Sequence, residues 1–314
     1  MALDPITKAF LDQLATQPTP KLWEMPPELG RMAFAAMMSF AGPKDVSIGK
    51  IENIAMPGPG GDIPLRIYTP VAAGGEALPA IVFFHGGGFV VGDLDTHDGL
   101  CRLLATESGA RVIAVHYRRA PEHKFPAAVE DAYAALGWIE ENAAELCIDA
   151  NRIAVAGDSA GGNLSAVVCQ LAKAQDGPKI AHQLLMFPST HVAGQFASMR
   201  EFAEGYLLEK RSIDWFFGQY IPPEADISDP RISPLLAPDL SKLPPATVML
   251  GGCDPLHDEG LAYAEKLRAA GVPVVVEDYP GMIHCFIYMQ AVIPQAYEAL
   301  AKSAKDVRRA LGMR

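Results

Sequence analysis

The sequence predicts an α/β fold in which helices cover both faces of a mostly parallel sheet. Short, wholly apolar runs of strand length alternate with longer segments of helical periodicity, which is typical of buried parallel strands joined by helices. A G-x-S-x-G sequence, residues 157–161, lies between one such run and one such segment. The 314 residues, half of them hydrophobic, are sufficient for a large core.

Eight segments of the chain are predicted strands. Residues 51–55 and 63–68 flank a turn rich in Pro and Gly, which predicts an antiparallel hairpin at a sheet edge. The other six are continuous apolar runs of the kind buried on both faces; they are residues 80–84, 112–115, 153–156, 183–187, 247–250 and 274–277. We expect helices between them and a final amphipathic helix over residues 294–311.

Two segments interrupt this alternation and predict a helical cap. Residues 1–45 read as amphipathic helices before the first strand, and residues 190–235 contain many aromatic side chains but no strand pattern. We expect the two to pack together, leaving residues 46–189 and 236–314 as the catalytic domain. Aromatic and Met side chains of the cap are expected to line or close a pocket above Ser159, notably Met37, Phe40, Tyr206, Trp215 and Phe216. Of these, Phe40, Tyr206 and Trp215 are the predicted substrate-binding residues.

The G-x-S-x-G sequence predicts a nucleophile elbow. A strand that turns sharply into a helix leaves no room for a Cβ at Gly157 or Gly161, and it lifts the Ser159 hydroxyl off the sheet. A serine hydroxyl is a poor nucleophile at neutral pH, so a histidine base, a carboxylate and oxyanion donors are also needed.

The donors are predicted in the sequence His-Gly-Gly-Gly at residues 85–88, directly after a predicted strand. Successive glycines let backbone N–H groups approach an anionic oxygen closely. A flexible glycine turn is the alternative. The position upstream of an elbow favours an oxyanion loop.

A carboxylate and a histidine follow the last two predicted strands. Asp254 comes directly after a strand and is favoured over Asp258, which lies a turn into the next helix and suits the helix N-terminus. His284 follows the last strand, whereas His257 is too close to Asp254 in sequence. The order Ser159, Asp254, His284 is the one that α/β hydrolases use.

The motifs together resemble those of the hormone-sensitive lipase family, the bacterial family IV esterases. They are HGGGF at 85–89, RRAPEHKFPAAVED at 118–131, GDSAGGN at 157–163, DPLHDEG at 254–260 and GMIHCF at 281–286. The resemblance covers roughly residues 50–314. It implies an α/β-hydrolase fold with an eight-stranded sheet and a helical cap, and a serine carboxylesterase that cleaves short- to medium-chain esters through an acyl-enzyme without a cofactor.

The same resemblance implies a role for each matching residue. Ser159 is the nucleophile, His284 the base and Asp254 the group that orients it. The oxyanion hole would be formed by the N–H groups of Gly86, Gly87 and Ala160. Asp158 is interpreted as a solvated acid near the elbow, with tuning of His284 as the alternative.

Three other classes of protein share part of this pattern. A binding protein on the same fold, such as the plant gibberellin receptors that resemble this family, normally lacks the triad histidine. A peptidase or amidase would use the same triad, but nothing suggests the extra domain that usually selects peptides. A nucleotide-binding enzyme needs G-x-G-x-x-G after the first strand, and here a serine interrupts it.

Composition limits the classes of binding partner and the cellular locations that we expect. The net charge is −11 without a long basic run, so we expect no nucleic acid. No apolar stretch reaches roughly eighteen residues, so we expect no membrane insertion. The N-terminal sequence is unlike a signal peptide and the five cysteines contain no C-x-x-C pair, which favours a cytoplasmic protein with reduced thiols. We expect a small-molecule ester as partner and no metal site, and a homodimer is left open.

Overall fold

The computed structural model describes residues 2–16, 20–43, 45–74 and 76–313. Within these ranges the strands form one eight-stranded sheet in the order β1-β2-β4-β3-β5-β6-β7-β8. They are β1 Lys50–Gly58, β2 Gly61–Thr69, β3 Leu78–Phe84, β4 Arg111–Val115, β5 Ile148–Asp158, β6 His182–Met186, β7 Ala246–Cys253 and β8 Val274–Ile283. The hairpin β1–β2 is antiparallel and so is the β2–β4 pair, while the remaining neighbours are parallel. The predicted mostly parallel sheet is confirmed.

The helices of the described ranges are α1 Pro5–Ala15, α2 Pro27–Ala41, α3 Asp98–Ser108, α4 Ala127–Glu141, α5 Ala160–Ala174, α6 Ala197–Glu201, α7 Lys210–Tyr220, α8 His257–Ala269 and α9 Pro294–Ala310. Short 3-10 turns lie at Leu22–Glu24, Pro234–Leu236 and Phe286–Tyr288. We find no helix in these ranges that combines the length and the apolar character needed to span a bilayer.

Two hydrophobic clusters cover the two faces of the sheet. Val82 and Phe84 of β3 belong to one cluster, and Ile81 and Phe83 belong to the other. Because successive side chains of a strand point to opposite faces, the clusters lie on opposite sides. Helices α4, α5 and α8 pack on the first side, and α3 and α9 pack on the second. The central strands are therefore buried on both faces, as their continuous apolar sequences predict.

The two segments of the predicted cap touch each other. The Lys21 ammonium lies 2.9 Å from a Glu209 carboxylate oxygen, and the Arg211 guanidinium lies 4.7 Å from the Trp23 ring centre. Residues 190–235 form α6 and α7 and no strand in the described structure. Residues 1, 17–19 and 44 of the N-terminal segment lie outside the described residues. The division into cap and catalytic domain stays a prediction.

A buried ion pair fixes the loop that precedes α4. Asp131 is fully buried and accepts hydrogen bonds from the backbone N–H of Arg118 at 2.9 Å and from its Nη2 at 2.7 Å. The two residues begin and end the RRAPEHKFPAAVED sequence. A buried carboxylate that loses its cation is left with an uncompensated charge, so this pair should matter for stability.

We predict that Arg118→Gln lowers the free energy of unfolding by about 3 kcal/mol, the low end for a broken buried pair because the Arg118 side chain keeps 23% exposure. Urea unfolding followed by circular dichroism measures this loss. Arg152→Gln is the control, because the pair of Arg152 with Asp149 is more exposed and should contribute less than about 1 kcal/mol. Equal losses in the two variants would contradict a special role for the buried pair.

Candidate active site

The turn between β5 and α5 leaves no space for side chains at its two glycines. A Cβ on Gly157 would lie 2.2 Å from the carbonyl oxygen of Gly161, and one on Gly161 would lie 1.9 Å from that of Phe84. Ser159 between them has φ 52° and ψ −114°, a conformation that is costly for a non-glycine residue. The tight packing holds Ser159 in this conformation, as expected of a nucleophile elbow.

A chain of hydrogen bonds joins Ser159, His284 and Asp254. The Ser159 Oγ lies 3.0 Å from His284 Nε2, and His284 Nδ1 lies 2.6 Å from Asp254 Oδ2. A carboxylate only accepts hydrogen bonds, so Nδ1 carries the proton and Nε2 of the neutral ring accepts from the serine hydroxyl. The three residues lie at the carboxyl ends of the parallel strands β5, β7 and β8, which meet at one edge of the sheet.

The two rival residues lie in a different hydrogen-bond network. The Asp258 carboxylate accepts the Ser198 N–H at 2.9 Å and lies 3.0 Å from His257 Nδ1. His257 Nε2 lies 3.4 Å from Asp278. The hydrogen bond to Asp278, against the effect of burial, raises the pKa of His257 to about 9. His257 is therefore positively charged near neutral pH and is poorly suited to act as a base.

Burial and nearby charges act in opposite directions on the pKa of His284. Burial of the ring is the largest single effect and lowers its pKa, but the charges and hydrogen bonds of Asp254 and Cys285 together raise it by more, so the pKa lies well above the usual value. Burial also raises the pKa of the Cys285 thiol beside it. The Phe187 ring packs edge-on against the imidazole with centroids 4.8 Å apart, which restricts the orientation of the base.

Residues 85–91, called the oxyanion loop, follow β3 directly. Gly87 and Gly88 have φ values of 107° and 58°, in the region that favours glycine. A Cβ on Gly87 would lie 2.3 Å from the Val91 carbonyl oxygen. The Gly87 carbonyl accepts hydrogen bonds from the N–H groups of Val90 and Val91. The loop therefore closes as a compact turn that only glycine permits at these positions.

One predicted oxyanion donor is wrong. The Gly86 N–H donates to Asp158 Oδ1 at 2.8 Å, so it is not available to a substrate oxygen. Asp158 is 1% exposed and is therefore not the solvated acid that we expected. The carboxylate directly before the nucleophile instead ties the elbow to the oxyanion loop. A Cβ on Gly86 would lie 1.9 Å from Asp158 Oδ2, which explains the glycine at this position.

Phe40 is not placed to line a buried pocket. Its side chain is 66% exposed, whereas Met38 and Ala41 of the same helix are buried. At 100° per residue, residue 40 lies on the opposite side of α2 from the face that these two residues bury. The prediction of Phe40 as a substrate-binding residue is wrong, because sequence clustering of apolar residues did not separate the two faces.

The other two predicted substrate-binding residues pack within the cap. The Tyr206 ring lies 5.0 Å from that of Phe202, and the Trp215 ring lies 5.3 Å from that of Phe216. Phe216 is also among the side chains predicted to line or close the pocket. Its ring lies against the oxyanion loop, since a Cβ on Gly88 would lie 2.2 Å from its Cγ. Phe216 is therefore a cap side chain that packs against this loop, and Tyr206 and Trp215 stay predictions.

Two motif residues attach the 190–235 segment to the catalytic helices. The Asn163 amide donates to the carbonyl oxygens of Ser189 and Ile232, both at 2.9 Å. The Glu259 carboxylate accepts the Thr190 N–H at 2.7 Å. Sequence reasoning missed both roles, although both residues belong to motifs quoted above. Their position a few residues after Ser159 and Asp254 was the available signal.

Comparisons with known proteins agree with this geometry. The family model described as the α/β-hydrolase fold matches residues 81–288. The carboxylic ester hydrolase LipN of Mycobacterium tuberculosis is 50% identical over 243 residues, which are 76% of this chain and 64% of LipN. The carboxylesterase NlhH of the same organism is 46% identical over 254 residues, 80% of this chain and 79% of NlhH.

A solved structure extends the similarity to nearly the whole chain. LAE6, an α/β-hydrolase enzyme from the metagenome of Lake Arreo, Spain, matches with a TM-score of 0.97 and 40% identity over 99% of both chains. The matched region of this chain spans just under two thirds of LipN but nearly all of LAE6. The chain therefore belongs to the α/β hydrolases, in the hormone-sensitive-lipase-like family IV.

Proposed function

We propose that the chain is a serine carboxylesterase that hydrolyses short- to medium-chain carboxylic esters. The observation that carries this proposal is the hydrogen-bonded chain from Ser159 through His284 to Asp254, at 3.0 and 2.6 Å. The names of the relatives, a carboxylic ester hydrolase and a carboxylesterase, support the same activity.

In the first half of the reaction His284 acts as base. Its Nε2 accepts the Ser159 proton while Oγ attacks the ester carbonyl carbon, and Asp254 remains ionised and stabilises the imidazolium. The carbonyl π electrons move to the oxygen, which becomes the oxyanion. Collapse of this tetrahedral intermediate breaks the bond to the alkoxy oxygen, which takes the proton from His284 and leaves as the alcohol.

Three backbone amides are proposed as donors to the oxyanion. Gly87 and Gly88 lie in the left-handed turn of the oxyanion loop, and Gly88 takes the place that Gly86 loses to Asp158. Ala160 is the first residue of α5, where an N–H has no acceptor within the helix. The positive end of the helix dipole adds to the same field. These groups stabilise negative charge that is absent from the ester and develops as the transition state forms. They therefore lower the activation barrier instead of only strengthening substrate binding.

In the second half a water molecule replaces Ser159 as nucleophile. His284 accepts a proton from this water, the hydroxide attacks the acyl carbon, and a second oxyanion forms against the same amides. When it collapses, Ser159 Oγ leaves and recovers its proton from His284. The products are one alcohol and one carboxylic acid, and the enzyme returns to its starting state.

A cytoplasmic location and the absence of a nucleic-acid partner belong to the same proposal. All five cysteines are free thiols, which supports a reducing compartment. The net charge of −11 disfavours a polyanionic partner.

We predict that Ser159→Ala and His284→Ala each reduce kcat by about 10⁴ to 10⁶ while the fold is retained. Asp254→Asn should cost about 10⁴, because the imidazole then adopts the wrong tautomer. Hydrolysis of p-nitrophenyl butanoate measures kcat, and circular dichroism checks folding.

The controls are Asp258→Asn and His257→Gln, which leave the hydrogen-bonded chain intact and should lose less than about tenfold. If Asp258→Asn were more damaging than Asp254→Asn, the aspartate assignment would be reversed. If Ser159→Ala kept wild-type turnover, the proposed nucleophile would be incorrect.

The raised pKa of His284 predicts the pH dependence. His284 must be neutral to accept a proton, so kcat/KM should increase with pH through a midpoint above the usual histidine value of about 6.5. In Asp254→Asn the carboxylate no longer raises this pKa while burial still lowers it, so the midpoint of the residual activity should move to lower pH. Initial rates from pH 5 to 9 test both statements. A wild-type rate that declines over this range while the protein stays folded would contradict a histidine base.

The position of Phe216 predicts a limit on acyl length. Each methylene buried from water contributes about 0.8 kcal/mol, roughly a factor of four in kcat/KM, until the chain meets a wall. We expect kcat/KM to rise from acetyl to butanoyl or hexanoyl esters and then fall. Phe216→Ala should move the optimum to longer chains, and Phe40→Ala, on the exposed face, should not. A rate that keeps rising beyond about twelve carbons would indicate an open site instead.

A further inference from the structure

Arg31, in the second turn of α2, joins the N-terminal part of the cap to the oxyanion loop. Its Nε donates to the Val90 carbonyl oxygen at 2.9 Å, and its Nη2 donates to the Ala120 carbonyl oxygen at 2.9 Å. The Glu122 carboxylate accepts from Nη1 at 2.8 Å and from Nη2 at 2.6 Å. Four hydrogen bonds therefore fix one guanidinium against two backbone segments of the catalytic domain.

Both backbone acceptors belong to the structure that shapes the oxyanion loop. Val90 lies in the turn whose N–H groups, from Val90 and Val91, donate to the Gly87 carbonyl at 3.0 and 2.9 Å. The Ala120 N–H donates to the Phe89 carbonyl at 2.9 Å. A shift of Val90 would therefore be transmitted directly to Gly87, whose own N–H is a proposed oxyanion donor.

The other side-chain contacts of the loop are made to other residues of it. Asp158 holds Gly86 from within the catalytic domain. The second part of the cap covers the middle of the loop, where Phe216 lies against Gly88 and the Tyr220 ring stacks on that of Phe89 with centroids 3.8 Å apart. Among these contacts Arg31 is the cap's polar link to the Val90 carbonyl.

The ion pair itself is poorly placed to stabilise the fold. The Glu122 side chain is 47% exposed and that of Arg31 is 20% exposed. Pairs that reach solvent contribute little to the free energy of unfolding. The planar fork of an arginine is well suited to hold groups at fixed angles, and a lysine ammonium cannot reproduce it. The arrangement is thus better explained by positioning than by stability.

We propose that Arg31 is a positioning residue for the oxyanion hole. From α2 its side chain holds the turn at Val90, and through this turn it keeps the Gly87 N–H in place. This inference rests on the proposed esterase function. Its physical basis is the strict geometry of oxyanion donors, which are effective only within hydrogen-bond distance of the developing charge. The cap would then contribute to chemistry as well as to substrate selection.

The test is Arg31→Gln, which keeps a polar side chain but loses the fork. Loss of a whole donor costs about 10² to 10³ in kcat, so displacement of one should lower kcat on the order of 10-fold to 100-fold. KM should stay within about threefold, because the ester ground state carries no oxyanion. Affinity for a trifluoromethyl ketone with a butanoyl-length chain, which adds Ser159 to form an oxyanion, should fall by the same factor as kcat.

Two further variants make the result specific. Arg66→Gln is the matched control: Arg66 has 16% exposure and also donates to a carboxylate, of Asp95, and to a carbonyl, of Leu94, but it contacts no residue of the oxyanion loop. Its kcat and its affinity for the ketone should stay within about twofold of wild type. Arg31→Lys can make only part of the four hydrogen bonds, so its losses of kcat and of ketone affinity should be smaller. It replaces Arg31→Gln in the test if that variant fails to fold.

The outcomes separate this inference from the proposed function. No ester hydrolysis by the wild-type protein would refute the esterase itself. An active wild type, together with Arg31 variants that keep kcat or change KM alone, would overturn the positioning role. Equal losses of kcat in Arg66→Gln and Arg31→Gln would also overturn it, because the effect would then be general destabilisation. Parallel losses of kcat and ketone affinity in the Arg31 variants alone would support it.

Discussion

The active site depends on the close approach of three backbone segments at the end of β5. The Gly161 carbonyl oxygen would lie 2.2 Å from a Cβ of Gly157, and the Phe84 carbonyl oxygen would lie 1.9 Å from a Cβ of Gly161. This packing forces Ser159 into a positive φ and starts α5 immediately after it. The parallel register pairs Phe84 with Gly157, so the oxyanion loop leaves β3 beside the nucleophile. One steric constraint therefore places the nucleophile, a helix N-terminus and the oxyanion loop together.

Two buried carboxylates next to this turn have different roles because different donors contact them. Asp254 is fully buried and accepts the Leu256 N–H at 2.8 Å as well as the imidazole N–H of His284. Asp158 is equally buried and accepts the Gly86 N–H. A buried charge is costly unless hydrogen bonds compensate it, so each carboxylate also immobilises its donors. Asp254 thereby fixes the base, and Asp158 fixes the start of the oxyanion loop.

The sequence was sufficient to predict those site residues whose positions follow from the order of the strands. In a parallel sheet the carboxyl ends of strands share one edge, so Ser159, Asp254 and His284 could be expected to meet from their positions after predicted strands. Gly86 could not be judged in this way. Its N–H is taken by Asp158, and which amide a buried carboxylate accepts depends on side-chain geometry that spacing does not encode. Phe40 was misjudged for a related reason. The sequence does not show which face of α2 packs against the rest of the protein, so it could not show that Phe40 lies on the exposed face.

The contacts of the cap were the least predictable, because they join residues distant in sequence through backbone atoms. Arg31 donates to carbonyl oxygens of Val90 and Ala120, and a carbonyl carries no sequence signature. The two ends of the inserted segment are held by residues close in sequence to the triad. Asn163 and Glu259 bind these ends from the helices that follow Ser159 and Asp254. With both ends held on the elements of the catalytic site, the length and sequence between them can change at a small entropic cost. The predicted cap can therefore vary in sequence and length while its attachment to α5 and α8, through Asn163 and Glu259, stays fixed.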